Sequence, residues 1–442
     1  MPVPGGVAFS VARRHKRRGS VSPYLVASAP VAVCRVMGYP MQNIVIANPY
    51  RFVPPHRRSF WPRVLQWYLP RYLRKHHGLE STEFLGLDRL KASLGAGHGI
   101  ILAPNHCRPG DPMALGLMAS SLSQPLYVMA SWHLFAQGRL FAWLLPRMGA
   151  FSVYREGLDR EALKCALDIL TGARRPLVIF PEGVVSRTND RLNHLMEGTA
   201  FIARKAAKER AAASPPGKVV IHPVAIRYFF GGDVNDALPP VLEEIERRLS
   251  WQPQTGKSLV DRIVKVGDAL LTLKEIEYFE ERQTGTMAQR LAALMDHLLV
   301  PLERQWLKGK REGDVVSRVK ALRTAIVPDI VAREVPEEEL SRLWRQLADL
   351  YLAQQLSLYP PDYFSSPPTP EQMLETVERF EEDLTDQVRV YRPLHVIMEV
   401  GNAIEVGPTR QRGADCDPLM VQLHDDLATM LARLKERGRP SS

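Results

Sequence analysis

Residues 99–111 read GIILAPNHCRPGD, an apolar run that breaks into a turn containing proline and glycine. The run is typical of a strand buried on both faces, and the turn places four residues between His106 and Asp111. A neutral imidazole accepts a proton near neutral pH, and a carboxylate within reach fixes its tautomer and stabilises its cation. The pattern indicates a strand end that carries a general base, although most histidine and aspartate pairs at this spacing are ordinary turn residues.

Further apolar runs follow this one at regular intervals: PLYVMAS (125–131), AFSVY (150–154), PLVIFPE (176–182) and KVVIHPVAIRY (218–228). Helical patterns separate them, around residues 112–121, 133–147, 158–173 and 195–209. Alternation of apolar strands with helices predicts an α/β fold with a mainly parallel sheet flanked by helices. Chemistry in such sheets collects where strands end, so we expect His106 and Glu182 to converge.

Three short segments follow NHCRPGD (105–111) in a fixed order: GAFSVYR (149–155), FPEGVVSR (180–187) and VVIHPVAI (219–226). Together the four segments resemble, in sequence and spacing, the motifs of the glycerophospholipid acyltransferase family. The best-known members of that family are the 1-acyl-glycerol-3-phosphate acyltransferases. The resemblance covers about residues 80–230, and four ordered motifs are far more specific than the histidine and aspartate alone.

The resemblance implies direct acyl transfer from a thioester, either acyl-CoA or acyl carrier protein, to the hydroxyl of a lysophospholipid. His106 would be the general base and Asp111 would orient its ring. No acyl-enzyme, metal or cofactor is expected beyond the thioester co-substrate, and the chain has no G-x-S-x-G segment. A lysophosphatidic acid-like acceptor, as in phospholipid biosynthesis, is the first expectation.

Five residues are candidates for substrate binding, each on one of the motifs. Guanidinium groups suit a phosphate, the glycine permits close backbone approach, and the glutamate can bind either the acceptor or its own loop. The proline is expected to shape the acyl-donor side. These candidates are Arg155, Glu182, Gly183, Arg187 and Pro223.

Two departures from the family pattern leave the acceptor open. Val184 and Val185 follow FPEG where members commonly have Thr-Arg, and LMEG (195–198) stands where they often have F-K-x-G. Two positions at which a cation or hydroxyl could bind phosphate are therefore apolar. Glycerol 3-phosphate or a non-phosphorylated lipid is the alternative acceptor, and a non-catalytic lipid-binding homologue is a further alternative that the intact His106 and Asp111 disfavour.

The composition changes after Phe230 and again near residue 388, which predicts four segments. These are a basic N-terminal arm with interfacial amphipathic helices (1–78), an acyltransferase catalytic domain (79–235), a helical insertion (236–387), and the final strand and helix of the catalytic domain (388–442). Members of the family often end this domain with a strand of the type V-G-x-P-I-x-V, which Val400, Gly401, Ile404 and Val406 resemble, with Ala403 in place of the proline. The alternative is a separate C-terminal helical domain with its own small strand.

Positive charge is concentrated at the N-terminal end of the chain. The formal net charge is +10, and residues 1–79 hold thirteen basic and no acidic residues, so the remainder sums to −3. Such an arm predicts a polyanionic partner. No nucleic-acid-binding module is recognisable, so we expect an anionic membrane surface.

The segment SFWPRVLQWYLPRYLRKH (59–76) has the composition of a helix lying among lipid headgroups. Its apolar residues share one helical face, and Pro62 and Pro70 each suit a first turn, which predicts two short helices with a break before Pro70. A core-facing helix is the alternative. We expect a peripheral or monotopic protein at the cytoplasmic face of the membrane.

Cysteine usage agrees with a cytoplasmic location. The four cysteines include no CxxC pair, which is typical of reduced thiols. Cys107 is interpreted as a turn residue and not as a nucleophile. Residues 21–34 are apolar but too short to span a bilayer.

Overall fold

The computed structural model describes residues 50–332, 335–359, 364, 367–385, 389–409 and 416–438. Residues 1–49 lie outside this part, and with them most of the predicted basic arm and the whole apolar segment 21–34. The described residues belong to one compact unit.

One sheet forms the centre of this unit. Its strands are β1 (Leu79–Leu85), β2 (Gly99–Pro104), β3 (Tyr127–Ser131), β4 (Ala150–Val153), β5 (Leu177–Val178), β6 (Val219–Phe230), β7 (Leu394–Val400) and β8 (Ile404–Glu405). The order across the sheet is β1-β7-β6-β2-β5-β3-β4, with β8 paired to β6. Strands β6, β2, β5, β3 and β4 are mutually parallel, and β7 and β8 run antiparallel to β6. The predicted α/β fold with a mainly parallel sheet is confirmed.

Strand β6 is the longest strand and joins the two parts of the sheet. Along one edge it pairs with β2, from Val219 opposite Gly99 to Val224 opposite Pro104. Along the other edge its first half pairs with β8 and its second half with β7. All of its residues are buried. The chain therefore returns from its helical segment to place β7 between β1 and β6, although the division into domains stays a prediction.

Helices cover both faces of the sheet and fill the segment between β6 and β7. In chain order they are α1 (Phe60–His77), α2 (Leu87–Gly95), α3 (Asp111–Ser121), α4 (Arg139–Arg147), α5 (Arg160–Gly172), α6 (Gly198–Ala211), α7 (Val234–Ala237), α8 (Pro239–Arg248), α9 (Leu259–Phe279), α10 (Met287–Leu307), α11 (Val315–Ala332), α12 (Glu337–Ser357), α13 (Pro370–Thr385) and α14 (Pro418–Arg437).

Two hydrophobic clusters hold these helices to the sheet. Helices α5, α6 and α14 pack on one face, and α1, α2 and α3 pack on the other. Burial on both faces explains why β2, with the sequence GIILAP, is apolar at every position. Helices α9 to α12 share a separate core that includes Leu294, Leu322 and Leu347.

Helix α1 differs from its prediction. It is one continuous helix with Pro70 inside it, so the predicted break before Pro70 is wrong. Pro70 lies on the exposed side, where water can solvate the carbonyl that loses its helical hydrogen bond. Leu69 and Leu73, which precede and follow Pro70, are buried and hold both halves of the helix against the core.

Candidate active site

The turn after β2 places His106 directly beside Asp111. Atom Nδ1 of His106 lies 2.9 Å from Oδ2 of Asp111. Asp111 is buried at the start of α3, where the helix dipole favours a negative charge. Its Oδ2 also accepts the backbone N–H of Arg108 at 2.9 Å, and its Oδ1 accepts the hydroxyl of Tyr228 at 2.8 Å. These contacts thus fix the carboxylate that faces the imidazole.

The imidazole of His106 is held from the side as well. Its ring stacks on Phe180 with centroids 4.0 Å apart, and the side chain is 14% exposed. When Nδ1–H donates to Asp111, Nε2 is the acceptor nitrogen. Nε2 has no hydrogen-bond partner among the described residues. The ring therefore presents a basic nitrogen that can receive a proton from a bound molecule.

Glu182 ties two loops together at this position. Its Oε1 accepts the backbone N–H of His106 at 2.7 Å, and its Oε2 accepts the backbone and side-chain N–H groups of Asn193 at 3.1 and 2.9 Å. Burial raises the pKa of Glu182 to about 7, against the lowering effect of these hydrogen bonds. Of the two roles considered for Glu182, these contacts are those of a residue that binds its own loops.

Strand β6 also contacts the turn that carries His106. Asn105 pairs with Ile226 through two hydrogen bonds, accepting its N–H at 2.7 Å and donating to its carbonyl at 2.9 Å. The thiol of Cys107 is buried and lies 3.7 Å from that carbonyl. Burial raises the pKa of Cys107 well above its ordinary value, which favours the protonated thiol over the thiolate.

Arg155 lies beside the loop that carries Glu182. It extends from the residue after β4 and donates to the carbonyl of Gly183 at 2.7 Å. Gly183 has a φ of +71°, and a Cβ there would lie 2.7 Å from Sδ of Met196. The position therefore requires glycine for both conformation and space. Arg155 is exposed and has no carboxylate partner in the part of the chain that the structure describes.

The remaining two candidates, Arg187 and Pro223, contact other elements of the fold. Arg187 forms a two-point ion pair with Glu382 of α13, with Nη2 donating to Oε1 at 2.7 Å and Nη1 to Oε2. Pro223 is buried in β6, and its carbonyl accepts the N–H of Gly401 at 2.8 Å, between β7 and β8. His106, Asp111, Glu182, Gly183 and Arg155 thus lie together, and Arg187 and Pro223 are engaged by neighbouring elements. The roles of all seven stay predictions.

Several residues that support this arrangement were not predicted. Tyr228 and Asn105 are at the ends of predicted runs, so their positions gave a partial signal. Arg108 pairs with Glu378 of α13 at 3.1 Å, and no local pattern connects residues so far apart in sequence. No cluster of histidine, cysteine, aspartate or glutamate with the geometry of a metal site occurs in the described ranges.

Comparison with known proteins identifies the family of this domain. Residues 81–227 match the family model described as Acyltransferase. Residues 81–227 belong to the acyltransferase family. A segment of 107 residues is also 34% identical to a 1-acyl-sn-glycerol-3-phosphate acyltransferase of Streptococcus pneumoniae (strain ATCC BAA-255 / R6). That match covers 24% of this chain and 37% of the relative.

The acyltransferase match spans the whole of the geometry described above. It contains both loops, the strands β2 to β5 and most of β6, and it ends just before Tyr228. The predicted family is confirmed. Tyr228 and all the helices between β6 and β7 lie outside the matched acyltransferase region.

Proposed function

We propose that this chain transfers a fatty acyl group from a thioester to the hydroxyl of a lysophospholipid, with His106 as the general base. The observation that carries the proposal is the 2.9 Å contact between His106 Nδ1 and Asp111 Oδ2 within an acyltransferase-family domain. The second support is Nε2 of the same ring, which accepts no hydrogen bond within the described part of the chain, because a base needs one nitrogen oriented and the other available.

The proposed reaction proceeds in one displacement without an acyl-enzyme. The acceptor hydroxyl gives its proton to Nε2 of His106 while its oxygen attacks the thioester carbonyl. The new C–O bond forms, the C–S bond breaks, and the imidazolium returns the proton to the leaving thiolate. Asp111 stabilises the imidazolium through Nδ1, and Tyr228 and the N–H of Arg108 hold Asp111 in place.

The acceptor is proposed to be a lysophosphatidic acid-like molecule. The name of the relative from Streptococcus pneumoniae supports this class, and so does the exposed guanidinium of Arg155 beside the Glu182 loop. Glycerol 3-phosphate and non-phosphorylated lipids are the competing acceptors. Acyl-CoA or acyl carrier protein is the proposed donor.

A thiol-release assay tests the reaction and separates the acceptors. Purified protein is mixed with acyl-CoA or acyl carrier protein thioester, and free thiol is followed with lysophosphatidic acid, glycerol 3-phosphate or 1-acylglycerol. Fastest release with lysophosphatidic acid is the expected result. No release with any acceptor or donor would favour the non-catalytic lipid-binding alternative.

A membrane surface is the proposed location, and an exposed apolar face supports it. This face is formed by Phe60, Val64, Trp67 and Tyr68 of α1 and by Leu140, Phe141 and Trp143 of α4. Trp67 is 89% exposed, and Trp61 joins the two helices by an edge-to-face contact with Trp143 at 5.1 Å. No helix in the described part is long and apolar enough to cross a bilayer. Peripheral or monotopic binding to the anionic cytoplasmic leaflet would bury these side chains among headgroups.

A further inference from the structure

Helix α13 turns a row of carboxylates toward the loops of the candidate active site. These residues recur every three or four positions and so share one face of the helix: Glu371, Glu375, Glu378 and Glu382. Glu371 accepts the backbone N–H of Phe230, the last residue of β6, at 3.1 Å. The other three contact the loops that follow β2 and β5. The helical segment therefore contacts the catalytic domain through this face.

Glu378 reaches Asp111 through Arg108. Nη1 of Arg108 donates to Oε1 of Glu378 at 3.2 Å, and its Nη2 lies 3.1 Å from Oε2. The backbone N–H of Arg108 donates to Oδ2 of Asp111, the same oxygen that faces Nδ1 of His106. The side chains of Arg108 and Glu378 are 19% and 17% exposed, so water screens their ion pair little. The pair thus fixes the residue whose N–H orients the carboxylate.

Glu375 reaches Asp111 by a second line of contacts. One of its oxygens accepts the backbone N–H of Asn189 at 3.3 Å, and the other accepts the side-chain N–H of Asn189. Oδ1 of Asn189 accepts the backbone N–H of Tyr228 at 2.9 Å, and the hydroxyl of Tyr228 donates to Oδ1 of Asp111. The two lines therefore end on different oxygens of one carboxylate. They also touch each other, since the guanidinium of Arg108 lies over the ring of Tyr228 at 5.5 Å.

Both lines cross the boundary of the acyltransferase match. Asp111 and Arg108 lie inside the matched residues 81–227, whereas Tyr228 and α13 lie outside them. A carboxylate that is contacted on both oxygens cannot rotate away from the imidazole of His106 without breaking one of these contacts. Supporting contacts of this kind keep a reactive group within the narrow range of positions that catalysis needs.

We propose that helix α13 positions the general base, with Glu378 and Glu375 as the positioning residues. Each glutamate acts through its own line of contacts, and both lines hold Asp111 in the orientation that accepts Nδ1–H of His106. Neither glutamate touches the reacting atoms. The catalytic consequence rests on the proposed acyl transfer with His106 as the base. The competing view is that the carboxylates of α13 stabilise the fold and leave the imidazole unaffected.

The Nδ1–H proton of His106 provides a test that needs no activity. A proton held in this hydrogen bond is observed downfield of the amide protons in the ¹H NMR spectrum, and its absence from His106→Ala assigns it. Glu378→Gln and Glu375→Gln should each move this resonance upfield or remove it. The physical reason is that a less constrained Asp111 lengthens the hydrogen bond and lets the proton exchange faster with water.

Glu381→Gln is the matched control for both variants. Glu381 is a buried carboxylate of the same helix, and it pairs with Arg389 at 2.7 Å, outside both lines. Its replacement should leave the resonance in place while removing an ion pair of similar kind. A resonance that stays in place in a folded Glu378→Gln or Glu375→Gln protein would overturn the role of that glutamate. If Glu378→Gln does not fold, Arg108→Gln tests the same line.

Thiol release gives the second readout. Glu378→Gln should lower kcat by about 10-fold or more and leave KM nearly unchanged, because a displacement on the order of 1 Å can lower a rate by about 10²-fold without altering substrate binding. Arg108→Lys keeps a cation for Glu378 and should retain more of kcat than Arg108→Gln. In the Arg108→Gln background, Glu378→Gln should have little further effect, because the line is already broken.

The two readouts separate this inference from the proposed function. A fall in kcat for Glu381→Gln as large as that for Glu378→Gln would mean that the loss reflects the fold, and it would overturn the positioning role. Absence of transfer by the wild type would refute the proposed function alone. The resonance of His106 would then still decide whether α13 positions Asp111.

Discussion

Replacing Glu182 by glutamine should change how stability depends on pH. Burial raises the pKa of this carboxyl to about 7 in the folded chain, compared with an ordinary value of 4.5. The folded state therefore keeps a proton that the unfolded state has released. Stability must fall as pH rises through that interval and level off above it, because the native state binds more protons than the unfolded state there.

The size of the effect follows from the two pKa values. One pKa unit corresponds to about 1.36 kcal/mol, so the interval from 4.5 to about 7 corresponds to a loss of roughly 3 kcal/mol of unfolding free energy. Glutamine does not ionise, so the unfolding free energy of the Glu182→Gln variant lacks this pH-dependent component. It leaves one of the N–H donors of His106 or Asn193 facing an amide N–H, which lowers stability by about 1–3 kcal/mol at every pH.

Urea unfolding at a series of pH values measures both components. The advantage of the wild type over Glu182→Gln should shrink by about 3 kcal/mol between about pH 4.5 and pH 7.5 and then stay constant. Glu405→Gln is the control, because Glu405 is an exposed residue paired with Lys218, and its curve should parallel that of the wild type. Parallel curves for Glu182→Gln and the wild type would refute the inferred protonation of Glu182.

Three further outcomes are expected from other parts of the structure. Tyr228→Phe removes the hydroxyl that donates to Asp111, so it should lower the unfolding free energy by about 1.5–3 kcal/mol and slow thiol release. An unchanged rate of thiol release would mean that Tyr228 does not position Asp111. The losses of unfolding free energy caused by Arg187→Ala and by Glu382→Gln should differ from additivity by about 1 kcal/mol in urea unfolding, because the two residues form an ion pair between the Glu182 loop and α13. Full additivity would contradict a stabilising ion pair. Replacing Trp61, Trp67 and Tyr68 together by serine should release the protein from anionic vesicles in a sedimentation assay, with wild-type binding that weakens as salt rises; unchanged sedimentation would mean that these aromatic residues do not bind lipid.

The central sheet could be predicted because its strands are buried on both faces. Continuous apolar runs such as GIILAP have few other structural uses, and regular helices separate them. Strand β1, with the sequence LESTEFL, was missed because most of its residues are only partly buried and its pattern is mixed. Pro70 misled the prediction of α1, since a proline on an exposed helix face interrupts one hydrogen bond without ending the helix.

The convergence of His106 and Glu182 could also be predicted, because both follow strands of one parallel sheet. The contribution of the helical segment to the site could not be predicted from the sequence. Contacts such as Arg323 with Glu156 and Arg108 with Glu378 join residues more than a hundred positions apart. The sequence around each of these side chains predicts only an exposed charge on a helix or turn. Their pairing depends on how α11 and α13 pack against the catalytic loops, and no periodicity in the sequence encodes that.

The rate of thiol release by His106→Ala tests the central claim most directly. Acyl-CoA and lysophosphatidic acid are mixed with wild-type or variant protein, and circular dichroism and urea unfolding verify that both are folded. General-base catalysis by His106 predicts a fall in rate of about 10²- to 10⁴-fold in the variant. A folded His106→Ala protein that releases thiol at a rate close to that of the wild type would contradict the account.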